Sequence, residues 1–215
     1  MPISDQSNQS WVVDQLKYLE LSSMLDVGAG AGTYAHVFAQ HFPHVERFAV
    51  EAWAPYIQEF ALNNMYTEVF NHDIRDHENF NYDIVIFGDV LEHLYDPWSV
   101  LKKVRSILPV DGQIACCIPN AQHWSMQARL SIGDWRYADA GLLDRTHIRF
   151  FTRQTIIELL QGAGFEITEI VPRYVHNPNA DKFLDIIKNL AATTGADPKI
   201  ARADASVFQY IVKAR

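Results

Sequence analysis

Met24-Leu25-Asp26-Val27-Gly28-Ala29-Gly30-Ala31-Gly32-Thr33 is the stretch on which the reading of this chain turns. Met24, Leu25 and Val27 flank Asp26 in a short strand pattern, and three glycines follow at every second position. A strand entering a glycine-rich turn and then a helix brings backbone close to a ligand, because glycine has no Cβ and tolerates positive φ. The dinucleotide fingerprint is G-x-G-x-x-G. Here the third glycine comes one residue early, giving G-x-G-x-G, and that shift points away from a dinucleotide.

The segments on either side extend the pattern. Pro43 and His44 end a helical stretch over Tyr34–His41, and Arg47–Glu51 reads as a second strand ending in an acid. An acid about 20 residues past the glycines is placed to accept hydrogen bonds from ribose hydroxyls. Glu68–Asn71 is a short third strand, and Tyr82–Asp89 is a nearly continuous apolar run, as in a strand buried on both faces. Asp26, Glu51, Asp73 and Asp89 all fall at or just past strand ends, where open α/β sheets bind ligands. Asp96-Pro97 opens a helix whose buried face is Val100, Leu101, Val104, Ile107 and Leu108. Gln113–Ile118 is a fifth strand, Thr152 caps a helix over Arg153–Gln161, and Phe165–Val171 and Val207–Lys213 are two more strands. Near the start, Ser10 caps a helix with the apolar stripe Trp11, Val12, Leu16 and Leu19, with Gln15 among them. Strands alternating with helices imply a parallel sheet with crossovers. Residues 119–151 and 172–205 interrupt the alternation, and long connections in compact domains are usually functional. Phe183, Leu184, Ile186, Ile187 and Leu190 give the second of them a helical pattern, read as a small cap.

Bulk composition bounds the rest. A chain of 215 residues is expected to form a single domain, 1–215, with the two stretches as substrate-side insertions. It has no apolar run long enough for a membrane span, and Met1–Gln6 is polar, without the features of a signal peptide. Cys116 and Cys117 are adjacent on a strand, where neighbours point to opposite faces. The expectation is two reduced thiols and a cytoplasmic protein. A net charge of −8 argues against extended nucleic-acid binding, which depends on neutralising phosphates. Nothing in the sequence fixes an oligomeric state.

Leu25-Asp26-Val27-Gly28-Ala29-Gly30-Ala31-Gly32, Glu51, Asp73-Ile74 and Asp89-Val90-Leu91-Glu92-His93-Leu94 together resemble the ordered motifs of class I S-adenosylmethionine-dependent methyltransferases. The segment Gly141–Thr152, GLLDRTHIRFFT, is similar to the group holding bacterial glycan, secondary-metabolite and ubiquinone-type O-methyltransferases. The resemblance implies a Rossmann-like α/β fold: a seven-stranded, mostly parallel sheet with helices on both faces and the last strand antiparallel. It implies S-adenosylmethionine over Gly28, Gly30 and Gly32, with Asp26 orienting the loop or the amino-acid part. Glu51 would take the ribose hydroxyls, Ala52 and Trp53 would flank the adenine, Asp73 would accept from its amino group, and Ile74 would lie against the ring. Gly88 and Asp89 would face the methionine end.

The expected reaction is methyl transfer to a small-molecule or sugar acceptor at a hydroxyl. A base there removes the hydroxyl proton, and histidine titrates in the right range. The candidates are His147 in the substrate-side segment, His93 after the fourth strand and His123 after the fifth. Asp89, Glu92, His93 and His147 would converge on a divalent ion if 119–151 folded over the fourth strand. Glu92-His93 is similar to an acid–histidine pair that holds such an ion in small-RNA 2′-O-methyltransferases and some ubiquinone-type enzymes, but no metal ligand is assigned from sequence. Residues 123–153 hold five arginines, three aspartates and no lysine or glutamate. Such a stretch suits an anionic glycan precursor or, equally, arginines paired with local aspartates. The alternative functions are a metal-dependent 2′-O-methyltransferase of RNA ends, a nicotinamide-dependent oxidoreductase or epimerase, and a non-catalytic S-adenosylmethionine-binding partner subunit.

Overall fold

The computed structural model describes residues 12, 14 and 16–215. The strands are β1 (Ser23–Val27), β2 (Glu46–Val50), β3 (Glu68–Phe70), β4 (Ile84–Gly88), β5 (Gln113–Pro119), β6 (Ile167–Arg173) and β7 (Gln209–Ala214). They form one sheet in the order β3-β2-β1-β4-β5-β7-β6. Every neighbouring pair is parallel except those made by β7, which runs antiparallel to both β5 and β6. This is the expected seven-stranded Rossmann-like sheet with its last strand reversed. The helices are α1 (Thr33–His41), α2 (Ala54–Glu59), α3 (Pro97–Ile107), α4 (Trp124–Ser131), α5 (Arg153–Gly162), α6 (Ala180–Thr194) and α7 (Pro198–Ser206).

The period of two along the strands divides the core into layers. On β4, Val85 and Phe87 enter a core with Val100, Leu101 and Val104 of α3 and Leu159 and Leu160 of α5. Ile84 and Ile86 enter the opposite core with Val37 and Phe38 of α1 and with Val12 and Leu16. Burial on both faces explains why β4 reads as an unbroken apolar run. The same alternation puts Cys116 in one core and Cys117 in the other, and both are free thiols. The expected first helix is met only at Val12 and Leu16; Ser10, Trp11 and Gln15 lie outside the described residues.

Several boundaries differ from the sequence reading. β2 ends at Val50, so Glu51 stands just beyond it, and β6 starts two residues late, at Ile167. Phe165 is buried in the turn between α5 and β6, where its amide donates to Leu160, so its apolarity reflects core packing rather than strand pairing. Ile107 is 38% exposed, because α3 turns its apolar stripe away at the last residue. In 172–205, α6 and α7 form a helical pair tied by Arg202 to Asp181 at 2.9 Å and Asp185 at 3.3 Å. The helical pattern expected over 183–190 lies on α6, where Leu184 and Ala191 are buried and Phe183, Ile186 and Leu190 are exposed. Among the described residues no helix is long and apolar enough to cross a membrane.

Candidate functional site

β1 and β4 lie side by side, with their crossovers leaving to opposite ends of the sheet. Open α/β sheets bind ligands at such a switch point. Gly28, Gly30 and Gly32 all have positive φ (69°, 52° and 72°). At Gly28 space is limiting as well: a Cβ there would stand 2.9 Å from Val90 Cγ2, so the loop and the segment after β4 touch. Gly88 is bare for a similar reason, since a Cβ would overlap the ring of Tyr34, which reaches over from the first turn of α1. The Tyr34 hydroxyl is buried without a hydrogen-bond partner among the described residues.

Glu51 is 6% exposed and holds the loop with its carboxylate. One oxygen accepts from Gly30 N at 2.9 Å and the other from Trp53 N at 2.8 Å. Each oxygen keeps a lone pair for a further donor, which suits a pair of ribose hydroxyls. Its backbone is fixed by an amide bond to Phe70 O and by Asn71 Nδ2 donating to Glu51 O. Ala52 and Trp53 are exposed beside it, Trp53 at 61%. Asp26 is almost wholly buried under the loop and accepts from the Tyr66 hydroxyl at 2.5 Å. Burial pushes its carboxyl up to about 7, the Tyr66 bond opposing this and the charge of Glu51 adding to it. The described bond of the Asp26 carboxyl is thus to Tyr66, whose ring lies 3.7 Å from where a Gly32 Cβ would stand. Asp73 caps the turn Ile74–Asp76 and binds the Arg75 guanidinium through both oxygens, at 2.9 and 2.8 Å, which holds its carboxyl below the usual range. With Arg75 N also on Oδ1, one lone pair on Oδ2 stays open to an adenine amino group. Ile74 is 5% exposed and packs in the core with Val50 and Phe80, leaving little of its side chain for a ring.

Beyond β4 the chain makes a tight turn, Leu91–His93, and the 119–151 stretch closes over it. Ile148 N and Arg149 N both donate to Glu92 O at 3.0 Å. This brings His147 to His93, their rings edge to face with centroids 4.8 Å apart, and puts His147 Nε2 3.8 Å from Glu92 Oε1. His93 Nδ1 lies 3.1 Å from Thr146 O, and His147 Nδ1 3.2 Å from Leu142 O. A carbonyl only accepts, so both rings carry the proton on Nδ1 and present a bare Nε2. Burial lowers the pKa of both rings. Glu92 is 1% exposed, and neither carboxylate oxygen has a hydrogen-bond partner among the described residues. Its pKa is raised well above the usual value by burial and then by the charge of Asp89. Glu92, His93 and His147 are the residues here able to hold a metal ion.

Two sequence candidates do not join this group. Asp89, at φ 55°, turns one oxygen to Gln209 Nε2 at 2.5 Å. The orientation of that amide is set by Arg173, which donates to Gln209 Oε1 at 2.7 Å. His123 caps α4, its Nδ1 accepting from Ser125 N, so the proton sits on Nε2. Burial takes it down to about 4, which makes it a poor base near neutrality. Sequence reasoning missed Tyr34, Tyr66, Thr146 and Gln209. It also missed Asp144, whose Oδ1 accepts from Thr146 N at 2.8 Å and Oγ1 at 2.6 Å and so sets the turn that presents His147.

The arginines of the cover are largely committed. Arg129 and Arg136 bind Asp134 at 3.3 and 2.8 Å, and Arg145 pairs with Asp139. Arg153 lies 4.0 Å from Asp204, and Arg149 bonds to Tyr95 O while facing the Tyr95 and Trp98 rings. The local aspartates thus take up much of the charge offered to an anion.

A search of curated proteins finds no match. Solved structures share the fold at low identity. A Bacillus halodurans protein described as a methyltransferase is 18% identical, with 97% of this chain and 98% of that one covered and a TM-score of 0.63. An S-adenosylmethionine-dependent methyltransferase from Archaeoglobus fulgidus is 15% identical, over 98% and 94%, at 0.65. The plantazolicin methyltransferase BpumL, in complex with S-adenosylhomocysteine, is 18% identical, over 98% and 82%, at 0.63. The sequence profile of a methyltransferase domain matches residues 10–170, which include the glycine loop, Glu51, Asp73, the Leu91–His93 turn and His147. The chain belongs to this methyltransferase-domain family, and is an enzyme that draws its methyl group from S-adenosylmethionine.

Proposed function

We propose that this enzyme methylates a hydroxyl of a small-molecule or sugar acceptor. The observation that carries the reading is the pair of bare Nε2 atoms on His93 and His147, turned beside the buried Glu92 just past the end of β4. Methyl transfer from a sulfonium is an in-line displacement in which positioning supplies much of the rate. A hydroxyl is a weak nucleophile until its proton is drawn off. Two neutral imidazoles offering lone pairs are suited to that step. Glu51 anchors the donor at its ribose, Asp73 and Trp53 bound its adenine, and Gly88, packed under the Tyr34 ring, lies toward its methionine end. The pairing of Arg129 and Arg136 with Asp134 favours a neutral acceptor over an anionic one.

Transfer of a labelled methyl group to panels of sugars, phenols and amines tests this reading. The expected products are methyl ethers of sugars or phenols. Methylation confined to amines would overturn it.

A further inference from the structure

We propose that Glu92, His93 and His147 form a binding site for a first-row divalent transition ion of the zinc, manganese or iron class. One ligand atom from each residue lies within 4.8 Å of the others. Bonds of about 2.0–2.2 Å from oxygen or nitrogen to such an ion put ligand atoms about 3–3.5 Å apart. Closing the cluster therefore takes roughly 1.5 Å of side-chain movement or less, and His147 Nε2 already stands 3.8 Å from Glu92 Oε1.

Each part of the cluster is set for coordination. The Thr146 and Leu142 carbonyls fix the proton of each imidazole on Nδ1, which is how ligating histidines are commonly oriented. Thr146 is itself held by Asp144. Glu92 is pinned through its backbone by Ile148 N and Arg149 N, so its side chain cannot swing out to water without breaking the cover. A carboxylate this deeply buried with neither oxygen hydrogen-bonded is costly unless something offsets it. A dication bound to Glu92 and both imidazoles supplies that offset. Two imidazoles and one carboxylate suit transition ions better than magnesium or calcium, which take oxygen sets.

Asp89 is held out of this set by Gln209 and Arg173. Three protein ligands leave at least one coordination position open. With both Nε2 lone pairs on the ion the imidazoles no longer serve as proton acceptors, and a hydroxyl in the open position would instead be acidified by the dication; binding of the ion itself needs no acceptor.

The test is titration of the full chain, stripped with chelator, with cobalt(II) chloride, followed by visible absorption and calorimetry. The expected result is one ion per chain with ligand-field bands, displaced by zinc. Glu92→Gln and His147→Gln should each weaken binding about 10- to 100-fold, with melting temperature and S-adenosylhomocysteine affinity serving as the check on folding. Absence of stoichiometric cobalt binding by the unmodified chain would overturn the proposal, whatever the variants do. Equal affinity in folded Glu92→Gln and His147→Gln would overturn it too. Methylation of amines alone would remove the hydroxyl reading and leave this site standing.

Discussion

In the proposed donor site Glu51 carries the sharpest expectation. It joins Gly30 to Trp53 and leaves a lone pair on each oxygen. Replacing it with alanine removes two charge-assisted bonds within the loop and those expected to the ribose. A loss of about 3 kcal/mol follows, roughly a hundredfold in S-adenosylhomocysteine affinity by calorimetry. His123 carries a separate expectation. Its imidazole is kept neutral when folded, with a pKa of about 4, against 6.5 when exposed. Between these values the unfolded chain binds more protons, so stability is full above pH 6.5, declines as pH falls toward 4 and then levels off. The amount at stake is about 3 kcal/mol. Urea unfolding of His123→Asn, which keeps a capping side chain, should show a smaller loss between pH 7 and pH 4.5 than the parent. The positions of Glu51 and the glycines in the loop beyond β1 and β2 were legible because they follow from spacing along the chain. The tautomers of His93 and His147 were not, because backbone carbonyls set them and every residue carries a carbonyl.

Among elements, those with a start signal were read closely. Asp96 and Thr152 both cap as expected, Asp96 accepting from Ser99 N and Thr152 forming a capping box with Thr155. Strand ends were read less well, since pairing partners rather than local residues decide where a strand stops. β6 illustrates this: it begins at Ile167, where β7 offers Ala214 as a partner, and a register irregularity between Ile167 and Glu169 follows. The cover over the Leu91–His93 turn was anticipated only as a conditional. What fixes it is the double donation to Glu92 O, a contact between residues over fifty positions apart. The pattern of Phe183, Leu184, Ile186, Ile187 and Leu190 does lie on a helix, α6, but amphipathic spacing does not tell whether its apolar face is covered.

For the whole molecule, the order of strands follows from the sequence motifs once the resemblance is granted, and the sheet then dictates where the site lies. The link from Arg173 through Gln209 to Asp89 was out of reach of a local reading, because it joins the two ends of the sheet's second half. That link belongs to β7, and β7 is an inner strand between β5 and β6. β6 has no other neighbour in the sheet, and β5 would otherwise show one open edge. A chain ending at residue 208 should therefore be recovered aggregated, with cofactor binding lost, as read by size-exclusion chromatography and calorimetry.

The reversed inner strand also sets a schedule. A ribosome delivers β1 to β4 long before β7, and those strands can pair as they emerge. β5 must wait with one edge open, and β6 with no strand partner at all, until residue 214 has left the exit tunnel, at about 5–20 residues per second. Asp89 receives the Gln209 amide only at that point, so the glycine loop can form before the segment after β4 has its last contact.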